Sequence, residues 1–127
     1  MRRRADFFWI ALGGMLGAAC RAALGEALAG VTFPLATLAA NLLGTAGLAL
    51  LAVASGRLRR WQRALLGTGF CGAFTTVSTF SAELAGMIEA GQTAMAGAYL
   101  LLSLGSALPM AIFLLRWHPP QGEGAAQ

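Results

Sequence analysis

Arg21, Asn41, the run Thr75 to Ser81, Glu83 and the pair Ser103 and Ser106 stand out as polar residues set in long apolar stretches. A polar group is costly at membrane depth, so each needs a partner or a pathway. A lone hydroxyl in such a setting usually bonds the carbonyl one turn back, and Thr45 and Ser106 taken singly are read that way. Five hydroxyls in the seven residues from Thr75 to Ser81 are different, because Gly67, Gly69 and Gly72 precede them and favour an opening of the helix. An unwound stretch at mid-membrane offers carbonyls to a cation and N–H groups to an anion. The chemistry to expect here is ion coordination.

Covalent catalysis has no residues to work with. The one histidine, His118, follows the last apolar stretch, and no Ser/His/Asp set, paired carboxylates or metal-ligand spacing can be assembled. The protein is therefore not read as an enzyme. Cys20 and Cys71 lie in apolar sequence and are read as small buried hydrophobes, with neither a disulfide nor a metal site. Glu83 is the one carboxylate inside an apolar stretch, and pairing with arginine near the interface is favoured for it over a role in transport.

The elements that must position these groups follow from composition. Of 127 residues, 57% are hydrophobic and 11% charged, and the mean hydropathy is +0.68, which no ordinary water-soluble domain of this length carries. Four stretches are long enough to cross a hydrocarbon core about 30 Å thick: 7–24, 33–54, 64–88 and 94–115. Their length and the absence of period-two alternation predict helices rather than strands. The first, though it follows a basic start, is kept as a span rather than a signal peptide, since no cleavage region follows it. The expected organisation is a basic N-terminus (1–6), a four-helix membrane domain (7–116) with its third helix broken near the middle, and a polar disordered tail (117–127). Four short helices can hardly enclose a private aqueous pathway, so an oligomer is expected. The Gly13/Gly17 and Gly44/Gly47 pairs suit close packing either between subunits or within one. The net charge of +4 is read as a topology signal and contact with anionic lipid, not as nucleic-acid binding.

The segment GTGFCGAFTTVSTFSAE, residues 67–83, closely resembles the signature of the CrcB/Fluc fluoride channels. The run GGMLGAACR ending in Arg21 and the run ATLAANLLG around Asn41 resemble the same family, so the likeness covers nearly the whole chain outside its termini. It implies a passive, fluoride-selective channel of the cell inner membrane that lowers cytoplasmic fluoride, built from two antiparallel subunits with two narrow pores lined by both. Residue by residue, Asn41 matches the pore asparagine, Phe80 the second phenylalanine of the motif, and Thr79 and Ser103 the hydroxyls of a polar track. Gly72 and Thr75 match the positions whose carbonyls hold a structural sodium ion. Arg21 and Tyr99 match family positions without a clear task. Val77 stands where the motif has its first phenylalanine, so one expected ring edge is missing and conduction is in question. The change at Ala73, from the motif's glycine, is milder.

Fluoride is small and strongly hydrated, so amide N–H, hydroxyl and aromatic-edge partners suit it. A small multidrug exporter, the competing reading, would resemble its family through a glutamate in the first helix, and no acid lies between Phe7 and Cys20. A non-conducting subunit of a heterodimeric channel is the other alternative. With four spans, eight of the nine arginines fall on the side of the termini, which orients that side to the cytoplasm. That bias, together with Val77, puts a heterodimer with an oppositely oriented paralogue ahead of a homodimer.

Overall fold

The computed structural model describes residues 2–117, and among these it is helical throughout apart from turns. In chain order the elements are α1 (Arg2–Ala27), α2 (Leu35–Val53), α3 (Arg60–Gln62), a π-helical segment π1 (Arg63–Cys71), α4 (Gly72–Phe74), α5 (Ser78–Glu89) and α6 (Thr93–Trp117). The tail expected to be disordered lies, from His118 on, outside the described residues. Apolar α1 and α2 are long enough to cross a bilayer: 19 residues of α2 rise about 28 Å at 1.5 Å per residue. Helix α1 starts five residues before the apolar stretch read from sequence and ends three after it, because arginine and alanine are good helix formers whatever the solvent.

Turns fall where the backbone needs glycine. Gly30 and Gly91 have φ of +90° and +73°, a region that side chains with a Cβ disfavour. Pro34, at the N-cap of α2, supplies no N–H at a position where helical donors lack partners in any case. Pro109 lies inside α6, where it removes one backbone bond, an interruption that membrane helices tolerate.

Helix α1 packs chiefly on π1 and α4. Small residues set how close they come. A Cβ on Gly13 would overlap the Leu65 carbonyl oxygen, one on Gly17 the Phe70 carbonyl oxygen, and one on Gly69 would sit 2.6 Å from the Ile10 carbonyl oxygen. On α2, a Cβ at Gly44 would run into the Thr75 methyl, and one at Gly47 would lie 3.2 Å from the Cys71 sulfur. The two glycine pairs that sequence left open between subunits and within one are therefore used inside the chain. Cys71 is buried, but Cys20 is exposed on this single chain, which corrects the reading of both as buried.

A second cluster joins α5 and α6, with Met87, Ala96 and a fully buried Tyr99 at its centre and Phe33, Leu38, Phe80, Leu84 and Met95 around them. At one end of the molecule, Trp9 packs on Trp61 with ring centroids 5.0 Å apart, and Arg60 pairs with Asp6. These contacts tie the start of α1 to the basic loop before π1.

Candidate functional site

The hydroxyl-rich run becomes the gap between α4 and α5. Helical geometry stops at Thr75, whose ψ of 153° is extended, and resumes at Ser78. A gap of this kind strands backbone groups that the helix would otherwise pair, and neighbouring side chains take them up. The Arg21 Nε donates to the Ala73 carbonyl at 3.2 Å. The Asn41 amide spans Thr76: its Nδ2 donates to the Thr76 carbonyl at 2.9 Å, and its Oδ1 accepts from the Thr76 N–H at 2.7 Å. Thr76 then caps α5, its Oγ1 accepting from the Thr79 N–H at 3.2 Å and donating to the Thr79 hydroxyl at 3.1 Å.

In an unbroken helix the Thr76 N–H would close on the Gly72 carbonyl, and the Thr79 N–H on the Thr75 carbonyl. Both donors are diverted, the first to Asn41 and the second to the Thr76 hydroxyl. Gly72 and Thr75 thus keep carbonyls that have lost their helical donors, and the Thr75 hydroxyl is itself turned back to the Cys71 carbonyl at 3.0 Å.

Two openings are lined by residues that bond the gap. A cleft of about 380 Å³ is lined by Arg21, Thr37, Thr76, Thr79 and Glu83 among others, and so gathers a cation, three hydroxyls and a carboxylate. Separately, Asn41, Thr45, Ser103, Ser106, Leu38 and Leu42 line a partly open void of about 20 Å³, enough for one water-sized occupant. The Ser103 Oγ is buried with no hydrogen-bond partner among the described residues. Thr45 and Ser106 donate to the carbonyls of Asn41 (2.7 Å) and Leu102 (2.6 Å), the local bonding expected of single hydroxyls.

Among the described residues Glu83 has no arginine partner. Its two carboxylate oxygens accept from the Thr37 and Tyr99 hydroxyls, each at 2.8 Å, which corrects the expectation from sequence. Tyr99 and Thr37 bring a donor each to an acid that solvent does not fully reach, and a charge so placed requires them. The Tyr99 ring also carries Phe80, at a centroid distance of 4.9 Å and tilted 51°, and Phe33 at 5.6 Å, edge-on. Tyr99, unassigned in sequence, therefore anchors both the acid and the phenylalanine of the motif.

The fold thus brings Arg21 and Thr79 to one cleft, Asn41 and Ser103 to one void, and sets Gly72 and Thr79 in the helices on either side of the gap that holds Thr75. Val77 stands apart, 78% exposed on the single chain. Thr37 was missed; its place one turn before Asn41 on the same face of α2, and the need of Glu83 for a partner, were the available signals.

The family model described as CrcB-like protein, Camphor Resistance (CrcB), matches residues 8–115. The chain belongs to the CrcB family. Among relatives of this CrcB chain, the fluoride-specific ion channel FluC of Deinococcus radiodurans is 44% identical over 113 residues, covering 84% of this chain and 89% of its own. FluC 2 of Listeria innocua is 40% identical, covering 84% and 85%, and FluC of Erythrobacter litoralis 40%, covering 82% and 85%.

Proposed function

We propose that this chain is a subunit of a passive, fluoride-selective channel that lets fluoride leave the cytoplasm, with no catalytic step. The observation that carries the proposal is the relatives themselves, fluoride-specific channels by name and about 40% identical over most of both chains. The chemistry beside the gap supports it. Fluoride entering the cleft meets the positive charge of Arg21 and the hydroxyls of Thr76 and Thr79, while the Glu83 carboxylate that also lines it is engaged by the Thr37 and Tyr99 hydroxyls. Asn41 and the Ser103 hydroxyl, which has no partner among the described residues, line the small void. These are donors without a second fixed cation, so no single site holds the ion too tightly to release it. Phe80 adds a positive ring edge.

The reading includes four membrane spans, with α3 to α5 forming a third one broken at its middle, and an antiparallel dimer in the inner membrane with both termini cytoplasmic. Exposure of Val77 and Ser78, beside the half-buried Thr75 and Thr76, supports a second subunit covering this face, since hydrocarbon cannot satisfy an open stretch of backbone. The arginine bias and the valine at 77 favour an oppositely oriented paralogue as that subunit. A structural sodium ion suits the Gly72 and Thr75 carbonyls, hard oxygen donors released from helical bonding. Bound there, the cation would add positive charge to the gap beside that of Arg21.

Efflux from proteoliposomes tests the reading. Vesicles loaded with fluoride and chloride should lose fluoride down its gradient and keep chloride. Fluoride loss no faster than from empty vesicles, with the paralogue present or absent, would contradict it.

A further inference from the structure

Among the pathway residues, Asn41 and Arg21 share a property that ion coordination does not explain: both spend hydrogen bonds on the backbone of the gap. We propose that the two are positioning residues, a two-point clamp from α2 and α1 that holds the helix open between α4 and α5. Arg21 takes the Ala73 carbonyl. Asn41 takes both backbone groups of Thr76, a donor and an acceptor on one planar amide meeting an acceptor and a donor on one residue. Leucine or methionine could fill either volume and could form none of these bonds.

The clamp acts at three places. First, the Ala73 carbonyl would close a helical turn on the Val77 N–H; Arg21 occupies it instead. Second, the Thr76 N–H would close on Gly72, and Asn41 removes it. Third, Thr76, once held, presents its Oγ1 to the Thr79 N–H and hydroxyl, which fixes the first turn of α5 and with it Thr79 and Phe80. Close approach of α2 makes this possible, since at Gly44 even a Cβ would meet the Thr75 methyl. Asn41 keeps one amide N–H beyond those bonds, so holding the gap and bordering the void are compatible tasks. The effect on permeation rests on the channel reading; the effect on the backbone does not.

Backbone amide exchange of the full chain in lipid nanodiscs, followed residue by residue beside fluoride efflux, separates the clamp from a direct role on the ion. In Asn41→Leu, the Thr76 and Thr79 amides are expected to exchange about tenfold faster or more, with protection in α1 and α6 unchanged, and efflux to fall. Arg21→Met touches no amide directly, yet the clamp expects faster exchange at Thr76 and Thr79 there too. That second variant also serves if Asn41→Leu does not fold. Native exchange at both amides in Arg21→Met would overturn the clamp, as would lost efflux in Asn41→Leu with native exchange. Because exchange is read without conduction, the clamp and the channel reading fail separately.

Discussion

At the scale of residues, the same side chains carry two kinds of work. Tyr99 is fully buried, donates to Glu83 at 2.8 Å and carries Phe80 on its ring. Tyr99→Phe keeps the ring and removes the donor, leaving the carboxylate with Thr37 alone; it is expected to lower stability by about 1–3 kcal/mol, read as an earlier thermal transition in detergent. Val77→Phe should act in the other direction on function. It places a ring edge beside the proposed ion path; fluoride efflux is expected to rise several-fold, and an unchanged rate would show that the second ring is dispensable. Much of the site was legible in the sequence: the crowd of hydroxyls from Thr75 to Ser81, with glycines before it, marked the gap. Which groups those residues bind was not. When only type and depth are known, Asn41 reads as an ion ligand and Arg21 has no clear task, since hydrogen bonds 52 and 35 residues apart in sequence leave no local pattern. Glu83 was paired with the wrong chemistry for the same reason: its partners lie 46 and 16 residues away, and hydroxyls in apolar helices usually bond their own backbone.

Elements show a similar division. Helix α2 followed its apolar stretch within two residues at each end, whereas the stretch at 64–88 became π1, α4, a gap and α5. Residues 63–71 form a π-helical segment of nine residues that packs against α1, a long-range contact that periodicity along one segment cannot express. The glycines are unequal in consequence. Gly17→Val would drive a side chain into the Phe70 carbonyl and is expected to prevent a monodisperse, folded protein on size-exclusion chromatography. Gly14→Ala, with nothing within 4 Å of the new Cβ on this chain, should leave both elution and thermal transition in place; a loss of folding there would mean that another surface covers Gly14.

For the whole molecule, the proposed orientation rests on charge and the proposed second subunit on the exposed face at Val77 and Ser78. Arg2, Arg3, Arg4, Arg57, Arg59, Arg60, Arg63 and Arg116 gather on one side under four-span topology, and the contacts of Trp9 with Trp61 and Asp6 with Arg60 keep the first helix and the basic loop together. A C-terminal tag in intact cells should therefore be reached from the cytoplasm only. Labelling in comparable amounts from both sides, with conduction by the chain expressed alone, would replace the heterodimer by a homodimer of mixed orientation. The central claim is selective fluoride conduction, and a planar bilayer measures it most directly. With the chain and its paralogue inserted, chloride equal on both sides and fluoride unequal, the current should reverse at the fluoride equilibrium potential. Reversal at zero voltage, the chloride equilibrium potential, would contradict the account.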